Sequence, residues 1–126
     1  MNVFDASAVL AVLNDEPGAP AAMALMGDSD GVISAVNYAE VIGKLVDRGL
    51  TEADAIEAWA HLPLTVEPLT STTALAAGLL RKPTRAQSLS LGDRCCLALA
   101  KALGGTVITA DKPWKTLRSF DIQLIR

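Results

Sequence analysis

Four acidic side chains stand in otherwise apolar segments of this 126-residue sequence. Asp5 and Asp111 each follow a short apolar run that is typical of a β-strand, and Glu40 and Asp93 lie in segments with helical patterning. Carboxylates that converge in one cleft repel one another and are costly to desolvate, and a divalent cation removes that cost. Because hard oxygen ligands favour Mg²⁺ or Mn²⁺, the four acids predict a metal pocket suited to phosphoryl chemistry.

No other set of residues competes for the metal. His61 is the only histidine, and the two cysteines, Cys95 and Cys96, are adjacent on one predicted helix, so the sequence lacks the ligands for a zinc site. Adjacent cysteines also cannot build a disulfide scaffold, and they fit a reduced, cytoplasmic setting. We therefore expect Mg²⁺ or Mn²⁺ as the cofactor and interpret both cysteines as small packing residues.

Each acid also has an ordinary structural explanation, which stays open beside the metal pocket. Asp5 suits the N-cap of the helix that follows it. Asp93 stands three residues after Ser90, which is the spacing of a capping box. Glu40 has Lys44 one turn later, a pairing worth only a few tenths of a kcal/mol. The fourth acid precedes a Lys-Pro pair and suits a turn.

Short strands alternate with longer helices along the chain. The patterning predicts strands over residues 1–4, 32–33, 65–67, 106–109 and 122–125. It predicts helices over 7–13, 19–26, 35–48, 51–62, 70–81 and 91–103, with loops at 27–31 and 82–88. Strands separated by helices indicate an α/β fold with a mainly parallel central sheet and helices on both faces. In such sheets ligands bind at the carboxyl ends of the strands, where Asp5 and Asp111 are expected.

The composition limits the classes of protein that this chain can represent. With 51% hydrophobic and 4% aromatic residues, the chain is expected to form one domain over residues 1–126 around an aliphatic core. No apolar run approaches the roughly 20 residues of a membrane span, and Asp5 interrupts the N-terminal run, so we expect neither membrane insertion nor an export signal. The net charge of −3 gives no general support to nucleic-acid binding, which must rest on local patches.

Each of the four acids is embedded in a short motif. The motifs are VFDASAVL at 3–10, SAVNYAEV at 34–41, LSLGDRCCLALA at 89–100 and VITADK at 107–112. In this order and spacing they resemble the PIN-domain ribonucleases, and within them the small VapC-type toxins of toxin–antitoxin pairs. The resemblance covers essentially the whole chain, and no acidic position of the family pattern is missing.

The resemblance implies a metal-dependent endoribonuclease that hydrolyses RNA phosphodiesters with metal-activated water and leaves a 5′-phosphate and a 3′-hydroxyl. It also implies a cognate antitoxin that covers or enters the active site, a homodimer, and a substrate such as tRNA or ribosomal RNA.

The same resemblance implies a role for each matching residue. Asp5 and Asp93 would bind the cation directly. Glu40 and Asp111 would complete the site, directly or through water, and Glu40 would help to orient the attacking water. Two small hydroxyl side chains match further positions of the family, and a role in orienting the metal ligands suits them. These two residues are Ser7 and Thr109.

Basic residues flank the motifs of Asp93 and Asp111. Seven of the 11 Lys and Arg residues fall within 81–94 and 112–118. A basic rim around an acidic pocket would hold RNA phosphates, although a solvated loop and helix face is the ordinary explanation. Trp114 is expected to pack against the sheet rather than to stack on a base. The predicted RNA-binding residues are Arg81, Lys82, Arg85, Arg94, Lys112 and Lys115.

Three other functions are compatible with parts of this pattern. A housekeeping nuclease of RNA maturation would share the chemistry but lack an antitoxin, so toxicity on expression separates the two. A receiver-type signalling domain pairs its acids near the first strand, whereas here Asp5 stands alone and Glu40 has no counterpart. A phosphatase of the haloacid dehalogenase type needs Asp-x-Asp after its first strand, and this chain has Asp5-Ala6-Ser7.

Overall fold

The computed structural model describes residues 1–28 and 30–126. Within these residues, the strands of the single sheet are β1 (Asn2–Phe4), β2 (Gly31–Ser34), β3 (Thr65–Glu67), β4 (Thr106–Thr109) and β5 (Ile122–Leu124). The α-helices are α1 (Ala6–Leu13), α2 (Ala19–Asp28), α3 (Ala35–Asp47), α4 (Glu52–Ala60), α5 (Ser71–Leu79) and α6 (Leu91–Leu103). Short 3₁₀ turns cover Arg85–Gln87 and Lys112–Thr116. The predicted α/β class with a parallel sheet is confirmed.

The strands run parallel in the order β3-β2-β1-β4-β5. The strands β2 and β3 lie on one side of β1, and β4 and β5 lie on the other side. The carboxyl ends of β1 and β4 are therefore neighbours, with Phe4 paired with Ile108. A crevice at such a reversal of strand order is where open α/β sheets bind ligands.

Both faces of the sheet are buried because successive side chains of a strand point to opposite faces. On β1, Phe4 belongs to a core that packs against α1, α2 and α3, whereas Val3 belongs to a second core that packs against α6. Burial on both sides explains why the central strands carry adjacent apolar residues at Val3–Phe4, Val32–Ile33 and Val107–Ile108. Trp114 lies in the second core, as predicted, and Cys95 and Cys96 are buried and free.

The predicted element bounds need only small changes. α2 runs two residues further than predicted, to Asp28, and the segment predicted as a loop at 82–88 contains a 3₁₀ turn. The loop predicted at 27–31 includes residue 29, which lies outside the described residues. Across residues 1–28 and 30–126, no helix combines the length and the apolar character that crossing a membrane would require.

Candidate active site

Asp5 is buried at the carboxyl end of β1, where it is the N-cap of α1. Its Oδ2 accepts hydrogen bonds from Ser7 Oγ at 2.5 Å, from the Ser7 backbone N–H at 3.4 Å and from Thr109 Oγ1 at 3.0 Å. Among the described residues, no hydrogen bond reaches the other carboxylate oxygen, Oδ1. The surroundings of Asp5 thus fix the orientation of the carboxylate and leave one oxygen available to a cation.

The electrostatic environment of Asp5 is unfavourable to its charge. Burial raises the pKa of Asp5 from 3.8 to about 6, against the lowering effect of the bond from Ser7. The negative charges of Asp93 and Asp111 raise this pKa further. A buried carboxylate that is ionised near neutral pH among other acids is stabilised by a bound cation.

Asp93 lies in the first turn of α6. Its Oδ2 accepts from the Ser90 backbone N–H at 2.9 Å, and Ser90 Oγ accepts from the Asp93 backbone N–H at 3.1 Å. The predicted capping box is therefore present. It occupies only one oxygen of the carboxylate, so capping does not prevent Asp93 from binding a cation.

Glu40 and Asp111 are electrostatically coupled to Asp93. Burial raises the pKa of Glu40, and the charge of Asp93 raises it further. The same two causes, in the same order, raise the pKa of Asp111. Within the described part of the chain, Glu40 forms no salt bridge with Lys44, the ordinary partner considered for it. Because the charge of Asp93 raises the pKa of all three other acids, the four carboxylates lie within electrostatic range of Asp93.

The four carboxylates interact through their charges rather than by contact. In residues 1–28 and 30–126, no three acidic, histidine or cysteine side chains are arranged closely enough to hold one metal ion. The donor set nevertheless consists of carboxylates alone, which is the chemistry that Mg²⁺ and Mn²⁺ select. These residues fit a divalent cation by donor type.

The hydroxyls of Ser7 and Thr109 connect Asp5 to the chain that carries Asp111. Ser7 Oγ accepts from the Ala110 backbone N–H at 3.0 Å, and Thr109 Oγ1 accepts from the Asp111 backbone N–H at 3.1 Å. Each hydroxyl also donates to Asp5 Oδ2. The start of α1 and the segment after β4 are thus held together around one carboxylate.

Asn37 is a buried residue of the site that had no predicted role. It lies on α3 one turn before Glu40, and its Nδ2 donates to the Gly92 carbonyl at 3.0 Å and to Glu40 Oε1 at 3.4 Å. Its Oδ1 is buried with no hydrogen-bond partner in the described structure. The only sequence signal was a polar side chain at helical spacing from Glu40 in an apolar segment.

Gly92 brings α6 into close contact with α3. A Cβ built on Gly92 would overlap the carboxylate of Glu40, with the Glu40 Cδ only 2.7 Å away. Only glycine leaves room for the Glu40 side chain at this position. The corresponding sequence signal was a glycine directly before the acid in the first turn of a helix.

Replacing Asn37 with alanine is expected to lower the free energy of unfolding by about 1–3 kcal/mol, because the Gly92 carbonyl would lose its buried donor. Urea unfolding near neutral pH measures this loss. Asn14→Ala is the control, because Asn14 is half-buried and, among the described residues, its side chain donates only to the side chain of Glu16. An equal loss in the two variants would contradict a special role for Asn37.

Five of the six predicted RNA-binding side chains are exposed: Arg81, Lys82, Arg85, Lys112 and Lys115. Arg94 differs, because it is buried between α5 and α6 and its guanidinium donates to the Ala77 carbonyl at 3.1 Å. Arg94 therefore joins two helices and does not belong to an exposed basic surface.

Known structures share this fold over nearly the whole chain. A toxin–antitoxin complex from Klebsiella pneumoniae matches with a TM-score of 0.81 at 16% identity, covering 100% of this chain and 98% of that chain. VapBC2 from Rickettsia felis, in a structure bound to a DNA fragment from its promoter, matches with a TM-score of 0.77 at 15% identity, covering 98% of this chain and 97% of that chain. The sarcin-ricin loop cleaving toxin VapC20 from Mycobacterium tuberculosis matches with a TM-score of 0.78 at 18% identity and coverages of 94% and 95%. At these identities the likeness establishes the fold.

The comparison with protein families assigns the sequence to a family, which the structural likeness alone does not do. No curated protein matches it. The PIN domain matches residues 3–118, a range that includes all four acids and both hydroxyl residues of the site. The resemblance found in the four sequence motifs is thereby confirmed. This chain belongs to the PIN-domain family.

Proposed function

We propose that the protein is a metal-dependent endoribonuclease that acts as the toxin of a toxin–antitoxin pair. The observation that carries the proposal is Asp5, which is buried at the reversal of strand order, is held through one carboxylate oxygen, and has its pKa raised further by the charges of Asp93 and Asp111. Membership of the PIN-domain family and a fold shared with toxins of known structure support it.

In the proposed site, Asp5 and Asp93 bind Mg²⁺ or Mn²⁺, and Glu40 and Asp111 complete the site. When bound, the cation activates a water molecule and neutralises charge on the phosphodiester. Glu40 orients the attacking water, and Asn37 holds the Glu40 carboxylate in place. Two hydroxyls fix the orientation of the buried metal ligand. They belong to Ser7 and Thr109.

The proposed partners follow from the same function. They are an RNA of the tRNA or ribosomal RNA class, a cognate antitoxin that covers the pocket, and a second copy of the chain. We propose that the protein acts in the cytoplasm, where the free, buried Cys95 and Cys96 would stay reduced.

Induced expression in a bacterial host tests the proposal. The wild type, Asp5→Asn and the control Asp47→Asn are compared, and total RNA is sequenced for new 5′-phosphate ends. Asp47 is an exposed acid at the end of α3, two helical turns after Glu40. Growth arrest with discrete new ends is expected for the wild type and Asp47→Asn, and neither is expected for Asp5→Asn.

The other outcomes distinguish the alternatives. Metal-dependent cleavage of RNA in vitro without growth arrest would indicate a housekeeping nuclease. No cleavage of RNA with either Mg²⁺ or Mn²⁺ would contradict the nuclease itself, and full activity of Asp5→Asn would contradict the assigned site.

Mg²⁺ and Mn²⁺ are expected to stabilise the protein more at about pH 7.5 than at about pH 5. The pKa of Asp5 is raised to about 6, so at the lower pH a proton competes with the cation for this carboxylate. Thermal unfolding with and without metal at the two pH values measures the difference. Asp47→Asn should retain the metal-dependent shift in Tm and Asp5→Asn should lose it. A shift of equal size at both pH values would contradict binding through Asp5.

A further inference from the structure

A second pocket lies in the segment that joins α5 to α6. Its volume is about 290 Å³, and we call it the arginine pocket. We propose that the arginine pocket is a phosphate-binding subsite, which holds a backbone phosphate of the RNA beside the acidic pocket. This proposal rests on the proposed function. The lining residues are Arg81, Thr84, Arg85, Ser88 and Leu89.

The charge of the arginine pocket is not neutralised locally. The sequence has no Asp or Glu between Glu67 and Asp93. Neither Arg81 nor Arg85 forms a salt bridge within the described structure, so the donors of both guanidiniums are available to an anion. The planar fork of a guanidinium matches two oxygens of a phosphate, which a lysine ammonium does not do.

The backbone between the two arginines is anchored. Thr84 is buried, and both its Oγ1, at 2.7 Å, and its backbone N–H, at 3.1 Å, donate to the Leu80 carbonyl. Gln87 Nε2 donates to Thr116 Oγ1 at 3.1 Å, which ties the 3₁₀ turn to the segment after β4. Arg81 and Arg85 therefore project from a supported turn rather than from an unanchored loop.

Ser88 adds a feature that is common at ligand sites. Its φ of 53° lies in the left-handed region, which costs a residue other than glycine about 1–2 kcal/mol. Residues held in such conformations cluster at binding and catalytic sites, where the surrounding structure supports the strain. Here the left-handed residue forms part of the pocket wall.

The arginine pocket adjoins the proposed active site along the chain. Leu89, at one end of its lining, is followed by Ser90, whose backbone N–H donates to Asp93 Oδ2 at 2.9 Å. Leu89 in the wall of the arginine pocket is thus one peptide bond from Ser90, whose N–H holds the Asp93 carboxylate of the proposed active site. An RNA strand cleaved at the carboxylates would place a neighbouring phosphate in reach of the arginines.

Lys82 provides a matched control within the same segment. It is exposed and basic, and it was predicted to bind RNA together with the arginines, but it does not line the pocket, so the proposal removes it from the phosphate site. A built phosphate site depends on the two arginines and not on Lys82, whereas a diffuse basic surface depends on all three equally.

Titration of the wild-type protein with inorganic phosphate, followed by NMR of the arginine side chains, is the first test. Saturable shifts of the Nε–H signals of Arg81 and Arg85 are expected. Lys82→Ala should leave these shifts intact, whereas Arg81→Ala should reduce the shift of Arg85. Phosphate that leaves both arginine signals unchanged would overturn the proposal, as would a loss of both shifts in Lys82→Ala.

RNA affinity, measured in an Asp5→Asn background without cleavage, is the second test. Arg81→Ala and Arg85→Ala should each weaken RNA binding about tenfold, Arg85→Lys should weaken it nearly as much, and Lys82→Ala should weaken it less than about twofold. Equal losses for Lys82→Ala and Arg85→Ala would overturn the subsite, as would unchanged affinity in both arginine variants. Phosphate shifts in a protein that neither binds nor cleaves RNA would instead contradict the proposed function.

Discussion

Replacing Asp5 with asparagine is expected to lower RNA cleavage by at least about a thousandfold, because the site loses the buried ligand that fixes the cation, a contribution of several kcal/mol to the transition state. Without metal, the same variant is expected to be more stable than the wild type near neutral pH. A pKa raised from 3.8 to about 6 corresponds to a cost of about 3 kcal/mol for the ionised form. The amide of asparagine must also be desolvated, so the expected gain is about 1–3 kcal/mol.

The pH dependence of this gain has a definite sign. Between about pH 4 and pH 6 the folded wild type binds more protons at Asp5 than the unfolded chain does, so its stability falls as the pH rises through this range. Asp5→Asn has no carboxyl group at this position, so its stability does not fall with pH in this way. Its gain in stability should therefore be largest above about pH 6 and disappear below about pH 4.

Urea unfolding of the two proteins over this pH range, in the presence of a chelator, measures the gain. Asp47→Asn removes an exposed acid and should show no comparable pH-dependent gain. A gain that is the same at every pH would contradict burial of the Asp5 charge as its cause, and retained cleavage would contradict the role of Asp5 as a ligand.

Replacing Gly92 with alanine is expected to lower cleavage by at least about a hundredfold with little change in stability. The new Cβ would occupy the position of the Glu40 carboxylate. The end of a flexible side chain can move away at low cost, so the fold should survive. The carboxylate would nevertheless leave Asn37 and the water that it is proposed to orient, and small displacements of positioning groups cost about hundredfold in rate.

Gly43→Ala is the matched control for this prediction. Gly43 lies on α3, one turn after Glu40, and a Cβ there would meet nothing within 4 Å. Alanine is favoured over glycine in a helix interior by up to about 1 kcal/mol, so Gly43→Ala should keep its activity and gain stability. Cleavage rates and unfolding curves for the two variants separate the effects. Wild-type activity in Gly92→Ala would show that the position of the Glu40 carboxylate does not matter.

The sequence predicts those features of the site that are encoded locally. The capping box of Ser90 and Asp93 spans three residues, and the strand that ends at Asp5 is recognisable from its own apolar run. All strands of a parallel sheet end at the same edge, which is why Asp5 and Asp111 were expected at one edge; the pairing of β1 with β4 is a finding of the structure. The motifs added the expectation that Glu40 and Asp93 join them.

The remaining features depend on contacts that no local pattern contains. The hydrogen bond from Asn37 to the Gly92 carbonyl joins residues 55 positions apart. A side chain at position 92 would overlap Glu40 only because α3 and α6 pack against each other. Arg94 was expected on a basic rim because it follows three other basic residues in the sequence and stands directly after Asp93. In the structure α5 covers that face of α6, and the guanidinium is buried against the Ala77 carbonyl.

Every hydroxyl hydrogen around Asp5 has an assigned acceptor. Ser7 and Thr109 each have one hydroxyl hydrogen, and while Asp5 is ionised both hydrogens point to its Oδ2. Backbone N–H groups donate to the two hydroxyl oxygens, so the 3.2 Å contact between those oxygens holds no hydrogen of its own. A proton arriving at Oδ2 would displace one hydroxyl hydrogen into that contact. The hydrogen bonds of the cluster would still hold the segment after β4. Protonation would therefore remove the negative charge that binds a metal ion without loosening this segment.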